Sequence, residues 1–230
     1  MPSAATPPRR RAAVPRTGGI EGPSLTEVAK VPKEPRVRRR KWMGDKAREE
    51  GLIAARKLLL EGGPGAVTLA NVGEAIGMSH ANVLYHFGSA ADLQSALMGS
   101  MIRDLTDALD SAVERIKTDG AAPRVIVDQV FDAFGEGGAG QLAAWIALSR
   151  DFSHLEPVRE AVNTLVVAFR DKFLDEDADP RVRSAVLMVA TCAFGDAVIG
   201  PHLRDMLGQD EDAMRSLAAK LLPMFVIGPL

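Results

Sequence analysis

The chemistry open to this chain is concentrated in HANVLYHF, residues 80–87, where two histidines, an asparagine and a tyrosine follow one another closely. An asparagine amide presents a donor and an acceptor side by side. That pattern matches the adenine edge in a DNA major groove, and a paired contact of this kind discriminates between bases by roughly 1–3 kcal/mol. Imidazole and phenol groups can hydrogen-bond phosphate oxygens. A second chemistry stands upstream in RVRRRK, where Arg36, Arg38, Arg39, Arg40 and Lys41 can neutralise phosphate charge. The remaining reactive types are scattered. His154, His202, Cys192 and Asp196 share no motif spacing, and nucleophilic catalysis needs a base within hydrogen-bond reach of the nucleophile. No enzymatic activity, cofactor or metal is therefore expected. Cys192, the single cysteine, excludes an intrachain disulfide and a zinc site built on paired cysteines.

The elements that must hold HANVLYHF in place are legible around it. Thr68 is a good N-cap for a short helix whose apolar residues Leu69, Val72, Ala75 and Ile76 fall at helical spacing. Gly77 can take the left-handed conformation that ends a helix, and Ser79 caps the next one two residues later. Met78 and Val83 have the spacing of a hydrophobic staple, which would fix the angle at which the second helix leaves the turn. With Val83 and Phe87 facing inward, His80, Ala81, Asn82, Leu84, Tyr85 and His86 remain for the outer face and flanks. That is the layout of a helix-turn-helix whose second helix enters a major groove. Glycine turns also join short helices in plain bundles, so the flanking residues decide the reading.

Those flanks carry a family likeness. The run MSHANVLYHFGSAADL resembles the signature of tetracycline-repressor-like (TetR/AcrR) regulators, with Tyr85, His86 and Phe87 as the aromatic cluster closing the recognition helix. The resemblance covers residues 46–97, with a first helix over 47–60. It implies that His80, Ala81, Asn82 and Leu84 approach bases, Asn82 foremost, and that Thr68, Ser79, Tyr85 and His86 sit in the same DNA interface, with Thr68, Tyr85 and His86 on phosphate. It also shows three departures: Leu84 stands where tyrosine is common, Ala90 where a lysine commonly meets phosphate, and Ala70 where a basic residue is frequent.

Charge complicates the picture. Residues 1–44 hold eleven Lys and Arg against three acids, whereas residues 45–100 hold four basic residues against six acids, so the reading head is not itself cationic. Most non-specific affinity for DNA comes from phosphate neutralisation. The expectation is that Arg36 to Lys41 act as a flexible basic arm that follows the backbone or enters the adjacent minor groove; a solvated tail or an address signal is the plainer reading.

Composition, 47% apolar with only 5% aromatic residues, suits an all-α chain. Residues 1–40, rich in proline, read as a disordered basic tail. The head is expected over 41–97, and the resemblance implies a C-terminal helical effector-binding and dimerisation domain over 98–230. A fourth helix capped by Ser89 should link the two. Further helices read over 103–117, 124–134, 141–152, 157–174, 180–199 and 210–225, with breaks at glycine and proline, Gly200–Pro201 among them. No apolar run reaches the roughly 18 residues of a membrane span, and no leader sequence is evident, so the cytoplasm is expected.

For the body, AVLMVATCAFGDAV over 185–198 is apolar nearly all round. With Met214, Leu217, Leu221 and Leu222 of the last helix it could form a four-helix seam between two copies; an ordinary core helix is almost equally compatible. Two half-sites favour a homodimer. Pocket candidates are Met101, Phe131, Phe134, Trp145, Phe152, Phe169, Met188 and Cys192, with Asn163, Thr191 and Asp196 as further polar anchors, for a small-molecule effector of unspecified identity. The expected function is a ligand-responsive DNA-binding transcriptional regulator, a repressor released from a double-stranded operator. The alternative is a helical small-molecule or partner-binding protein with a degenerate helix-turn-helix.

Overall fold

The computed structural model describes residues 36–149, 152–173 and 177–226, with side chains from Gly44 onward. Among them are nine α-helices and no strand: α1 Arg36–Gly62, α2 Leu69–Ile76, α3 His80–Phe87, α4 Ala90–Glu114, α5 Ala122–Phe134, α6 Ala139–Ser149, α7 Glu156–Arg170, α8 Ala178–Leu207 and α9 Ala213–Val226. The proline-rich reading of residues 1–35 lies outside the described residues.

Local chemistry builds the head. After the 3-10 turn Pro64–Ala66, the Thr68 hydroxyl oxygen accepts from the Asn71 N–H at 3.1 Å and opens α2. Gly77, at φ +67°, closes it. The Met78 and Gly77 N–H groups donate back to the Gly73 and Glu74 carbonyls, the two bonds of a Schellman ending. The turn lies so close to α2 that a Cβ on Gly73 would stand 2.7 Å from the Met78 carbonyl oxygen. Glycine at 73 is therefore a packing requirement, and Gly73 joins Leu69 and Val72 on the buried face, whereas Ala75 is exposed. The Ser79 hydroxyl caps α3 by accepting from the Asn82 N–H at 3.3 Å. Ser89 and Asp92 form a reciprocal capping box at the start of α4.

Two apolar clusters share α4. The head core gathers Leu59, Val67, Val72, Val83, Phe87, Leu93, Leu97 and Met101, together with Leu142 from α6. The body core gathers Leu109 and Val113 of α4 with Val127, Phe131, Val166, Phe169, Val189 and Leu222. Ile102 and Phe134 pack against both. The boundary expected at 97/98 therefore falls within one continuous helix.

Three further readings are corrected. Arg36 to Lys41 are the first turns of α1 and not an extended arm; arginine, lysine and methionine are good helix formers, and no proline follows Pro35 to stop propagation. The separate helix read from 103 does not exist, because nothing between Leu97 and Glu114 breaks the backbone hydrogen bonds of α4. Nor does α8 stop at Gly200–Pro201. The Asp196 carboxylate accepts from Arg204 across Gly200, where a Cβ would collide with both groups, and this half-buried ion pair straddles Pro201 and holds the two sides together. As a result α8 runs 30 residues and is long and apolar enough, by length and composition, to cross a membrane, contrary to the sequence expectation. Its apolar surface is divided between the body core, through Ala185, Val189 and Ala193, and an exposed stripe of Leu187, Val198, Ile199, Leu203, Met206 and Leu207.

Candidate functional site

The outer face of α3 is open. His80, Ala81, Asn82, Leu84 and Tyr85 are exposed, Tyr85 to 79%, while Val83 and Phe87 anchor the helix in the head core. The Asn82 backbone N–H is engaged in the Ser79 cap, and the Asn82 side-chain amide has no hydrogen-bond partner among the described residues. The two caps leave the Thr68 and Ser79 hydroxyl protons available to an acceptor such as phosphate, since both oxygens act as acceptors within the fold. Tyr85 and His86 meet edge to face with ring centroids 5.4 Å apart. Ala70 and Ala90 are exposed.

Sequence reasoning counted Arg48 as a head cation and missed its role. Its Nη1 donates to the His86 carbonyl at 2.6 Å, and its guanidinium lies 4.8 Å from the Phe87 ring centroid. A cation at the last turn of a helix complements the dipole, so Arg48 fastens the C-terminal end of α3 to α1. The other head cations are also engaged: Lys46 with Glu50 at 3.7 Å, Lys57 with Glu61 at 3.8 Å and Arg56 with Asp104 at 2.7 Å. The first two pairs are exposed and contribute little to stability, but each offsets charge that a phosphate would otherwise meet. The sequence carries a further run of cations, Arg36–Lys41, in the first turns of α1.

Behind the head, α4 is held at its first turns by the body. His154 Nδ1 and Asp92 Oδ1 lie 2.6 Å apart. The hydrogen bond from Ser89 is the main cause holding the Asp92 carboxyl below its ordinary range; partial burial opposes it and His154 adds to it. Two turns further on, the Pro157 carbonyl oxygen sits where a Cβ on Gly99 would be 2.7 Å away. On the head side, Gln94 Nε2 donates to the Val67 carbonyl at 3.2 Å.

Deeper in the body, a cavity of about 160 Å³ opens between α4, α5, α7, α8 and α9. Ile102, Leu105 and Leu109 form its α4 wall, facing Phe134, Phe169 and Val189. Phe134 and Phe169 are thus the pocket candidates that line it. Met101 is buried in the head core and Phe131 in the body core, while Met188 and Cys192 pack half-buried against the latter. Burial pushes the Cys192 thiol up, away from thiolate character. Trp145 and Phe152 are exposed, as are Asn163 and Thr191, and Asp196 is taken by Arg204. The α4 wall, at 102, 105, 109 and 113, is a helical stripe that the sequence shows; reading a helix start at 103 hid it. Of the scattered reactive residues, His154 contacts Asp92 and Asp196 pairs with Arg204. Among the described residues no cluster of three or more His, Cys, Asp or Glu could hold a metal ion.

An all-helical chain with a capped helix-turn-helix, an open second helix and a linking helix into a cavity-bearing body defines a DNA-binding transcriptional regulator. Residues 52–97, the helix-turn-helix head, match the model of bacterial regulatory proteins of the tetR family. An HTH-type transcriptional repressor of Mycobacterium tuberculosis and an HTH-type transcriptional regulator of Mycobacterium bovis are each 28% identical over 160 residues, which is 70% of this chain and 77% of the relative. Among solved structures, a protein of Saccharomonospora viridis described as a transcriptional regulator in complex with choline shares the fold at TM-score 0.50 and 18% identity, covering 77% of this chain and 96% of that one. NalD, the secondary repressor of the MexAB-OprM multidrug efflux pump in Pseudomonas aeruginosa, aligns at TM-score 0.45 and 21% identity over 79% of this chain and 95% of its own.

Proposed function

We propose that this protein is a dimeric cytoplasmic repressor that grips its operator with α3 and releases it when a small molecule occupies the body cavity. The observation that carries this is the double duty of one helix. Along α4, Leu93, Leu97 and Met101 belong to the head core, and Ile102, Leu105 and Leu109 form a cavity wall. A ligand that repacks the wall displaces the same rigid element on which α3 is seated. The His154–Asp92 contact and the Pro157–Gly99 approach give the body two further grips on α4 close to the head. A modest shift there changes the separation of two recognition helices, and dimers require half-sites about 34–36 Å apart.

Dimerisation is supported by the exposed apolar surface of α8 and α9, where Leu187, Ile199, Leu203 and Met206 stand with Leu217 and Met224. Exposed apolar surface on this scale marks an interaction face. Ala185 and Ala193, and Leu222 on α9, are used up in the chain's own core, so the seam is narrower than the sequence suggested. Replacing Leu203 by Glu should leave a folded monomer in sedimentation experiments and abolish tight operator binding.

Base reading falls to His80, Ala81, Asn82 and Leu84, with Thr68, Ser79, Tyr85 and His86 on the backbone and the cations of Arg36–Lys41 supplying phosphate attraction. A gel shift against the DNA upstream of its own gene tests the whole reading. A salt-sensitive, sequence-specific complex is expected; a chain that binds no DNA specifically would instead be a partner-binding protein with a degenerate head.

A further inference from the structure

The walls of the body cavity specify the chemistry of what fills it. Every described residue that lines it is aliphatic or phenylalanine, from Ile102 and Leu109 on α4 to Leu222 on α9; no hydroxyl, amide, imidazole or charged side chain is among them. The buried side-chain oxygen of Gln129 that lacks a hydrogen-bond partner is not in the wall either. Protein interiors hold few voids larger than a water molecule, so a carbon-lined cavity of about 160 Å³ among five helices of the body is large enough to admit a small guest. Apolar cavities of about 150 Å³ stay dry and take benzene-sized guests.

We infer that the cavity binds an uncharged, hydrocarbon-like molecule of about the size of a substituted benzene, recognised by shape and apolar contact without a polar anchor. Binding rests on the cavity alone; its regulatory meaning rests on the effector-release reading given above. A ligand hydroxyl or amide would shed its water and find no partner, at a cost of roughly ten- to a hundredfold in affinity per group. A carboxylate is excluded more strongly, because an unpaired charge in such a site has no compensating interaction. A quaternary ammonium ion could be drawn to the rings of Phe134, Phe169 and Phe173. No carboxylate stands in the wall to balance it, however, and Lys117 Nζ already lies 5.0 Å from the Phe173 ring centroid. Ile102 and Phe134, which also pack against the head core, place the occupant's contacts where they can be felt at α3.

The test uses the full-length protein with four probes of comparable size: toluene, p-cymene, benzoate and choline. Toluene and p-cymene should raise the melting temperature saturably and bind at least tenfold more tightly than benzoate or choline. The variant Ala190→Phe, which fills the cavity, should abolish the toluene shift while unfolding cooperatively; if it does not fold, Ala185→Leu serves the same purpose. Equal or tighter binding of benzoate or choline, no binding of either apolar probe, or an undiminished toluene shift in a folded cavity-filled variant would each overturn the inference. A parallel measurement follows a pre-formed operator complex. Toluene that binds the protein yet leaves that complex intact upholds the cavity chemistry and refutes effector release.

Discussion

Arg48 allows a positional role and a phosphate-binding role to be separated by experiment. Its guanidinium donates to the His86 carbonyl at 2.6 Å and stacks 4.8 Å from the Phe87 ring centroid. A hydrogen bond from a charged donor contributes roughly 1.5–3 kcal/mol, and an exposed cation–π contact about 0.5–1 kcal/mol. Arg48 is only half-buried and the two contacts overlap, so Arg48→Ala should destabilise the protein by about 2 kcal/mol. For a chain of this length that lowers the melting temperature by roughly 4–8 °C. Arg48→Lys keeps the charge but loses the planar fork and the stacking, and should show about half of the loss. Fluorescence anisotropy on operator DNA at several salt concentrations supplies the second readout. Because Arg48 points into the fold, both variants should weaken specific binding by loosening the end of α3, with the salt slope unchanged. A phosphate contact behaves oppositely: Arg48→Ala would lower the slope by about 0.9 per subunit, Arg48→Lys would restore it, and melting would barely move. That second pattern refutes the clamp.

Asn82→Ala should weaken operator binding by roughly 1–3 kcal/mol, the worth of a paired base contact, and leave binding to scrambled DNA unchanged; equal loss on both would remove Asn82 from base reading. Changing Arg36, Arg38, Arg39, Arg40 and Lys41 together to Gln, a comparable helix former, should reduce affinity on all sequences and flatten the salt dependence, and an unchanged slope would place the phosphate contacts elsewhere. The hydrogen bond from Arg124, followed by that from Ser216, holds the Asp212 carboxyl down at about 2. Its contribution to anchoring α9 on α5 is therefore complete above the ordinary carboxylate range and lost as pH falls from that range towards 2. Asp212→Asn should remove that part of the acid transition in melting curves followed from pH 5 to pH 2; an identical acid profile would show that the pair does not anchor α9.

The head was legible because its determinants are local. Thr68, Gly77, Ser79 and Ser89 act on backbone groups within three or four residues, and such caps read directly from sequence. Arg48 was not legible, since nothing in the spacing of residues 48 and 86 announces that they meet. The course of α8 through Pro201 was missed for a similar reason: a proline signals a break, and only the paired side chains of Asp196 and Arg204 show that this one is bridged. Among pocket candidates, aromatic and sulfur side chains drew attention, yet aliphatic side chains of α4 supply much of the wall.

By itself the sequence determined an all-helical chain whose residues 68–87 form a helix-turn-helix, with its cationic charge placed upstream. Helical period, capping and charge count are properties of neighbouring residues. The tertiary structure alone decided that the head's own cations are already engaged, that Arg48 secures the recognition helix, and that Ile102 and Phe134 join an apolar-lined cavity to the head core. Each of those depends on residues far apart in the chain, brought together by burial of apolar surface that no local pattern encodes.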